Sequence, residues 1–436
     1  MSGASDTIFA PASGAGRAAI TVLRVSGPGC AGVLRGLAGR LPAPRVASLR
    51  RLRGADGAVL DRALVLWFPG PASYTGEDSA ELHLHGGRAV LRAVAGALVA
   101  HGCRPAEPGE FTRRALLNGR LDLTEAEGIA DLVAAETEAQ RVQALRQAEG
   151  ALSRRLAGWS ERIAALLAWQ EAAIEFAEDG VPSDLEARVR AGAAALRAEM
   201  AAGLAEGERA ERLREGVAVA ILGAPNAGKS SLLNALAGRE AAIVSARAGT
   251  TRDVVEVSLE LAGVPVLLAD TAGLRETADE IEAEGVRRAL ARAEAADLRL
   301  AVFAADAEPD APTLALLGRP GTVVVVNKVD VAPPSLDGAV AVSARTGAGL
   351  DSLRARLAEE VAARAGLTEA AALSRPRHRA ALAEAVAALA EAEAAPLPEI
   401  AAEGLRAALS AVGRITGRVG VEEILDRVFS EFCIGK

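Results

Sequence analysis

The segment "VAVAILGAPNAGKSSLLNALAG", residues 217–238, decides the fold of this chain. An apolar run typical of a buried parallel strand leads into Gly223-x-x-x-x-Gly228-Lys229-Ser230, and a helix-like run follows. A phosphate-binding loop requires this context, because its glycines let backbone N–H groups surround phosphate oxygens at a helix N-terminus. Lys229 is expected to reach the terminal phosphates, and the Ser230 hydroxyl to coordinate Mg²⁺.

Three further motifs follow in the order that a GTP-binding domain requires. The first is "DTAG" (residues 270–273), whose Asp270 ends the apolar run "VPVLLAD". The other two are "NKVD" (residues 327–330) after "TVVVV" and "SAR" (residues 343–345) after "AVAV". Asn327 and Asp330 would read the guanine edge, where the carboxylate accepts from the ring N–H and the exocyclic amine. The stem of Lys328 can pack across the base. The motifs therefore predict GTP rather than ATP.

The residues that drive GTP hydrolysis are harder to assign. In many GTPases a Gln after the Asp-x-x-Gly motif orients the attacking water, whereas this chain has Leu274 there. Arg252 and Arg275 lie in the predicted switch segments, but neither is recognisable as an arginine finger. Composition does not choose among the nearest acidic residues downstream, which are Glu276, Asp279, Glu280, Glu282 and Glu284.

Charge and cysteine content limit the class of protein. The chain has 436 residues and a net charge of −8, yet its first 120 residues hold fifteen Arg and eight Asp or Glu. Such a basic field can attract a polyanion, and it can equally be a solvated face. The N-terminus has no signal-peptide pattern and no apolar run approaches membrane-spanning length, so we expect a cytoplasmic protein. Cys30, Cys103 and Cys433 form no Cys-x-x-Cys motif, which predicts reduced thiols rather than disulfides or structural zinc.

Changes in periodicity predict a multidomain α/β plus α protein. Residues 1–120 alternate strand-like and helix-like runs, as an α/β domain does. Residues 121–214 and 373–436 share an Ala-, Leu- and Glu-rich helical pattern, and residues 215–372 carry the GTP-binding motifs. We therefore expect a Ras-like P-loop GTPase domain inserted into a discontinuous helical domain. The capping-box form that marks helix starts occurs at Thr124 with Glu127 and at Ser183 with Glu186.

Lysine is rare in this chain. It occurs three times, and two of the three, Lys229 and Lys328, lie in nucleotide-binding motifs. The third, Lys436, is the last residue of the terminal "EFCIGK". We expect Lys436 to hold an anionic ligand as well, for which the end of the chain must reach the basic N-terminal domain.

Several segments outside the GTP-binding motifs complete the pattern: "DTIFA", "RVSG", "SYTGEDSAELHLHGG", "RPAEPGEFTRRALLNGRLDL", "GTTRD" and "FCIGK". Together and in this order, they make the chain resemble the bacterial tRNA-modification GTPase family MnmE, also called TrmE, over essentially its full length. The resemblance implies an N-terminal folate-binding domain that mediates homodimerisation, and a heterotetramer with the FAD-dependent protein MnmG.

The resemblance also implies the reaction. Family members add a (carboxymethyl)aminomethyl group to carbon five of a tRNA wobble uridine, with a one-carbon unit from methylene- or formyl-tetrahydrofolate. K⁺ and the juxtaposition of two G domains would activate GTP hydrolysis. Glu282 would position the hydrolytic water. The implied K⁺ ligands are Asn226, Ser245, the backbone at Arg247 and Thr250, and the implied Mg²⁺ ligands are Ser230 and Thr251.

For folate, the resemblance implies Arg24, Glu81, Arg120 and Lys436. Arg120 stands where relatives commonly have Lys, which keeps the charge but changes its reach and donor geometry. Cys433 would face the one-carbon unit. A nucleophilic thiolate and a small buried hydrophobe both remain open for this cysteine.

Motifs and resemblance together predict one set of GTP-binding residues. They are Asn226, Ala227, Gly228, Lys229, Ser230, Ser231, Ser245, Ala246, Arg247, Ala248, Gly249, Thr250, Thr251, Asp270, Thr271, Ala272, Gly273, Asn327, Lys328, Asp330, Ser343, Ala344 and Arg345. The alternative function is a ribosome-assembly or RNA-binding GTPase switch without modification chemistry. The GTP-binding motifs suit both functions, and a folate site in the first 120 residues would distinguish them.

Overall fold

The computed structural model describes most of the chain. The described residues are 6–14, 16–176, 184–238, 256–270, 296–334, 336–365 and 373–417, with the single positions 425, 428, 429, 432 and 435. The chain divides into two compact units, one of Met1–Ala130 with Val412–Lys436 and one of Asp131–Ala411. None of the helices in the described ranges combines the length and the apolar character that crossing a bilayer requires.

The first unit is built on a six-stranded sheet. Its strands are β1 (Ile8–Pro11), β2 (Ile20–Ser26), β3 (Ser48–Arg53), β4 (Val59–Phe68), β5 (Ser79–His85) and β6 (Arg104–Pro105). Their spatial order is β3-β4-β5-β2-β1-β6, and β1 with β6 is the parallel pair. The helices of this unit are α1 (Cys30–Ala38), α2 (Arg88–Ala100), α3 (Glu110–Leu117) and most of α4 (Leu123–Ala134).

Alternation along the strands separates the two faces of this sheet. Leu23 and Val25 of β2 are buried in one core with Leu34 of α1 and Leu98 of α2. Because successive side chains of a strand point to opposite faces, Arg24 lies on the face away from these helices. The α/β part of the predicted fold class is confirmed.

The end of the chain belongs to this first unit. Apolar residues near the C-terminus form a cluster with α4, which consists of Leu123, Ala126, Leu425, Val428, Phe429 and Phe432. The Gly435 backbone lies so close to β1 that an added Cβ would be 1.9 Å from the Pro11 carbonyl oxygen. Gly435 therefore lies against the N-terminal α/β sheet.

Helices make up much of the second unit. They are α5 (Glu138–Ala148), α6 (Ala151–Glu175), α7 (Leu185–Glu215), α8 (Lys229–Ala237), α9 (Ala311–Leu314), α10 (Leu350–Arg364), α11 (Pro376–Ala394) and α12 (Pro398–Thr416). The Trp159 indole of α6 donates a 2.7 Å hydrogen bond to Glu199 of α7. Gly207 of α7 lies against the Leu373 carbonyl just before α11, where an added Cβ would be only 2.9 Å away. Segments far apart in sequence therefore pack closely around α7.

One predicted helix start is wrong. Helix α4 is capped by Asp122, whose Oδ1 accepts from the Glu125 backbone N–H at 2.9 Å, while the Glu125 carboxylate accepts from the Asp122 N–H at 2.7 Å. The expected capping box of Thr124 and Glu127 lies two residues farther along the chain. Both residues lie within α4, and their side chains are buried. The other expected box includes Ser183, which lies outside the described residues.

A second six-stranded sheet forms the core of the inserted segment. Its strands are β7 (Val217–Leu222), β8 (Glu256–Leu261), β9 (Val264–Asp270), β10 (Leu298–Ala304), β11 (Thr322–Asn327) and β12 (Val340–Ala341). The order is β12-β11-β10-β7-β9-β8, with β8 antiparallel to β9 and the other pairs parallel. Since β9 and β10 flank β7, the chain leaves β7 at a crevice where an α/β sheet binds ligands.

The helices join this sheet through shared core residues. Leu213 near the end of α7 and Ala139 of α5 belong to the same buried cluster as Val217 of β7. Arg212 forms a 2.8 Å ion pair with Asp297, and the other carboxylate oxygen of Asp297 accepts from the Ala218 N–H at 3.1 Å. The junction between α7 and β7 is therefore packed and hydrogen-bonded.

The first prediction concerns Gly223, the residue directly after β7. An added Cβ would lie 2.2 Å from the Val302 carbonyl oxygen of β10, so Gly223→Ala must push the two strands apart. We expect a lower unfolding midpoint in urea, equivalent to a loss of about 2 kcal/mol. Gly158→Ala is the control, because an added Cβ there meets nothing within 4 Å and a helical alanine stabilises by up to about 1 kcal/mol. An unchanged midpoint for Gly223→Ala would contradict the close approach.

Candidate functional sites

The loop after β7 has the backbone that phosphate binding needs. Asn226 and Gly228 adopt left-handed conformations, with φ of 63° and 88°. A Cβ at Gly228 would lie 2.2 Å from the Asn327 side-chain nitrogen, so the loop passes too close to β11 for any larger residue. Helix α8 begins directly afterwards at Lys229. Its N-terminal N–H groups and dipole therefore face the loop, where they favour anions.

Hydrogen bonds hold the side chain of Lys229 against its own loop. Lys229 is 7% exposed, and its ammonium donates to the carbonyl oxygens of Gly223 and Ala224, each at 2.8 Å. These bonds place a positive charge where phosphates would lie, beside the α8 N-terminus. Ser230 and Ser231 follow in the first turn of α8 and are exposed. Their hydroxyls are thus accessible to a nucleotide and its metal ion.

A buried amide ties the nucleotide loops together. Asn327, which is 2% exposed, donates from Nδ2 to the Ala227 carbonyl at 3.0 Å and accepts at Oδ1 from the Ala344 N–H at 3.0 Å. The loop after β7 and the loop after β12 therefore hold a fixed position relative to β11. Beside them, Lys328 donates to both carboxylate oxygens of Asp306, at 3.0 and 3.1 Å.

Asp330 is prepared to accept from a base. The Ser343 hydroxyl donates to its Oδ1 at 2.6 Å, and the Arg345 guanidinium lies 2.5 Å from its Oδ2. The hydrogen bond from Ser343 and then the Arg345 charge hold the pKa of the Asp330 carboxyl below its usual value. Arg345 is 76% exposed, so it can move aside when a ligand reaches the carboxylate. An ionised carboxylate can accept both donors of the guanine edge.

The other predicted members of the GTP, metal and catalytic sets fall outside this geometry. For Asp270 at the end of β9 the backbone is described, and it pairs with Ile221 of β7. Those outside the described residues are Ser245, Ala246, Arg247, Ala248, Gly249, Thr250, Thr251, Thr271, Ala272, Gly273, Glu282, Cys433 and Lys436.

Three of the four predicted folate residues line one cavity in the first unit. Arg24, Glu81 and Arg120 surround a space of about 310 Å³. Arg24 and Glu81 are cross-strand partners on β2 and β5, and the guanidinium lies 2.9 Å from the carboxylate. The fourth residue, Lys436, follows Gly435, whose backbone lies against Pro11.

Several residues of this cavity were not predicted from the sequence. Tyr74, Arg45, Phe68, Thr75 and Ser79 also line it. The Arg24 guanidinium lies 5.4 Å from the centre of the Tyr74 ring, and the Tyr74 hydroxyl is 2.8 Å from that of Thr112. Burial raises the pKa of Tyr74 above its usual value, although its bond to Thr112 opposes the shift. Tyr74 is the single Tyr of the chain and lies in "SYTGEDS", a signal that could have identified it.

Behind the cavity wall lies a buried ionic network. Arg114 is 3% exposed and pairs with the carboxylates of Asp6 at 2.8 Å and Glu110 at 3.0 Å. It also pairs with Glu77 at 3.2 Å. Glu77 in turn accepts from Ser26 at 2.9 Å, and Ser26 is 2.7 Å from Thr75 of the cavity wall. Within the described residues the buried Arg114 Nε has no hydrogen-bond partner, while the other bonds of the network connect Asp6 and Glu110 through Arg114 and Glu77 to the cavity wall.

Comparison with known proteins identifies the family. A family model described as "GTP-binding protein TrmE N-terminus" matches residues 7–120, and one described as "MnmE helical domain" matches residues 123–433. A protein of Granulibacter bethesdensis called "tRNA modification GTPase MnmE" is 55% identical over 437 residues, with 99% of each chain covered. The chain belongs to the MnmE family of tRNA modification GTPases.

A second full-length relative agrees with this membership. The protein of the same name from Gluconacetobacter diazotrophicus is 57% identical over 435 residues, which cover 98% of each chain. Among solved structures, the G domain of the FeoB iron transporter of T. maritima is 26% identical over 33% of this chain and 98% of its own, with a TM-score of 0.26. Membership in the MnmE family rests on the two full-length relatives and the two family models.

The second prediction concerns Asp330. Asp330→Asn removes the carboxylate that is expected to accept from guanine, and each hydrogen bond to a charged group is worth about 1.5 to 3 kcal/mol. We expect the Kd for GTP to rise at least tenfold and that for xanthosine triphosphate to fall, because an amide N–H can donate to the extra carbonyl of xanthine. Fluorescent-nucleotide titration measures both. Asp337→Asn, at an exposed site, is the matched control. A GTP affinity that survives Asp330→Asn would show that the base is read elsewhere.

Proposed function

We propose that this chain is the GTP-hydrolysing subunit of a tRNA-modifying enzyme. It would add a (carboxymethyl)aminomethyl group to carbon five of a wobble uridine, in the cytoplasm, with a one-carbon unit from tetrahydrofolate. The observation that carries the proposal is the cavity lined by Arg24, Glu81 and Arg120. A GTP site alone would suit a ribosome-assembly or RNA-binding switch equally well, whereas such a switch needs no folate cavity.

The nucleotide site supports GTP binding from its two ends. Lys229 and the α8 N-terminus would hold the phosphates, while Asn327 and Asp330 would hold the guanine. Mg²⁺ would supply charge stabilisation at the phosphates. Ser230 is exposed in the first turn of α8, where a hydroxyl ligand for this ion is needed, and Thr251 would be the second protein ligand.

Hydrolysis needs another source of positive charge, because Leu274 replaces the usual Gln and no arginine finger is recognisable. K⁺ near the phosphates would supply it. Asn226 suits a K⁺ site, since its left-handed backbone and exposed position place its amide at the tip of the phosphate-binding loop. Ser245, the backbone at Arg247 and Thr250 would complete the site. Glu282 would orient the water.

The folate cavity supports binding of a pterin with an anionic tail. Its volume of about 310 Å³ is at the lower end of ligand-cavity sizes. Glu81 supplies a carboxylate that can accept from an amide N–H and an amino group, and Arg24 holds this carboxylate at 2.9 Å. Ala10 and Pro11 of β1 pair with Arg24 and Leu23, so the contact of Gly435 with Pro11 supports a place for Lys436 beside the same ligand. Cys433 would then face the one-carbon unit.

The proposal includes a domain plan and partners. An N-terminal folate-binding and dimerisation domain (1–120), a helical domain in two parts (121–214 and 373–436) and an inserted GTPase domain (215–372) would form a homodimer. The dimer would act with the FAD-dependent protein MnmG, as a heterotetramer, on tRNA. Ordering of the switches by GTP would bring two G domains together.

The third prediction concerns ion dependence. If K⁺ replaces an arginine finger, GTP hydrolysis should be at least tenfold faster in K⁺ than in Na⁺ at equal ionic strength, because the cation must fit its site. Phosphate release measures the rate. Glu282→Ala should bind GTP normally and lose hydrolysis, and Glu280→Ala is its matched control. Equal rates in the two salts would refute the K⁺ site, and loss of hydrolysis in Glu280→Ala alone would refute the choice of Glu282.

The fourth prediction concerns folate. Isothermal titration of the purified protein with 5-formyl-tetrahydrofolate should show saturable binding, and both Arg24→Ala and Glu81→Gln should weaken it at least tenfold, since each removes one partner of a charged pair. GTP hydrolysis should persist in both variants. Arg62→Ala is the control, because Arg62 is exposed on β4 and does not line the cavity. A wild-type protein that binds no tetrahydrofolate would favour the assembly-switch alternative.

A further inference from the structure

The folate cavity carries more positive charge than Glu81 can balance. Three arginines line it, Arg24, Arg45 and Arg120, with Glu81 as the carboxylate of the lining. Arg24 is paired with Glu81 at 2.9 Å. Within the described residues, neither Arg45 nor Arg120 forms an ion pair with a carboxylate. The cavity therefore has two uncompensated guanidinium groups, which favour a ligand with at least two negative charges.

The fold holds Arg45 at the cavity. Its backbone is left-handed, with φ of 61°, and its N–H donates to the Trp67 carbonyl at 2.8 Å. Its guanidinium donates to the Ala72 carbonyl and lies 5.7 Å from the centre of the Phe68 ring. Left-handed backbone at a residue other than glycine is costly and is kept where the surroundings fix it. The bond to Ala72 uses one of its N–H donors, and neither this bond nor the Phe68 ring neutralises its charge.

Arg120 lies against the same loop from its other end. Gly76 makes room for it, since an added Cβ there would be 3.2 Å from Cγ of Arg120. The Arg120 backbone N–H is held by the Ala115 carbonyl at 2.8 Å. Arg45 contacts the loop at Ala72, and Arg120 contacts it at Gly76. The loop with Tyr74 thus lies between two arginine side chains that both line the cavity.

We propose that Arg45 and Arg120 form a carboxylate-binding subsite for the glutamate tail of the folate, and that this subsite selects tetrahydrofolates with several glutamates. The inference rests on the folate site proposed above and adds Arg45 and a substrate class to it. A monoglutamate tail has two carboxylates, and every further γ-linked glutamate adds one. The arginine fork suits carboxylates because it can donate two parallel hydrogen bonds. Arginine at position 120 accordingly offers bidentate contact where a lysine would be a point charge.

The test is a titration of the full-length protein with three probes, which are 5-formyl-tetrahydrofolate as the monoglutamate, the same compound as the triglutamate, and a tetrahydropterin without a tail. Wild type should bind the triglutamate at least tenfold more tightly than the monoglutamate, and raised ionic strength should reduce this ratio. Arg45→Gln should bring the ratio near one without changing tetrahydropterin affinity. Arg45→Lys should keep part of the ratio, since it keeps the charge without the fork.

Arg51→Gln is the matched control, because Arg51 is an exposed arginine on β3 that does not line the cavity. It should leave the ratio at the wild-type value. Equal affinity of wild type for the two folates would overturn the inference while leaving the folate site intact. The inference would also be overturned if Arg45→Gln weakened tetrahydropterin as much as the triglutamate. If wild type bound neither folate, the proposed folate site itself would be wrong.

Discussion

The nucleotide site depends on one buried amide. Asn327 is 2% exposed and bonds the loop after β7 through Ala227 and the loop after β12 through Ala344. No residue larger than glycine fits at position 228, because this amide occupies the space. A buried amide left without these partners would be costly. The same bonds that keep Asn327 satisfied therefore fix the distance between the phosphate end and the base end of the site.

The junction of α7 with β7 gives the nucleotide site a mechanical connection to the helices. Leu213 and Ala139 share the buried core of the GTPase sheet, and the Gln140 side chain donates to the Arg214 carbonyl at 3.0 Å. A Cβ added at Gly263, in the turn between β8 and β9, would lie 3.8 Å from the Ala139 Cβ. The hairpin of β8 and β9 connects the two predicted switch segments in sequence. That hairpin therefore packs beside α5, which shares its buried core with α7 and β7.

The sequence predicted best what is local in the chain. The phosphate loop and the guanine motif could be read directly, because each is a short run at the end of an apolar strand. The cavity could not be derived from spacing: Arg24 and Glu81 meet because β2 pairs with β5, and Arg45 joins them from a loop before β3. The error at Thr124 has a similar origin. The spacing of Asp122 and Glu125 is the same as that of Thr124 and Glu127, and burial of Leu123 favours the earlier helix start.

We propose that modification of the wobble uridine requires both the GTP site and the cavity of Arg24, Glu81 and Arg120. The direct test is mass spectrometry of tRNA nucleosides from cells that lack the chain and are complemented with wild type, Lys229→Ala or Glu81→Gln. We predict that wild type restores the carbon-five modification of the wobble uridine and that each variant fails, although Glu81→Gln still hydrolyses GTP. Normal modification in cells without the chain, or full restoration by Glu81→Gln, would contradict the account.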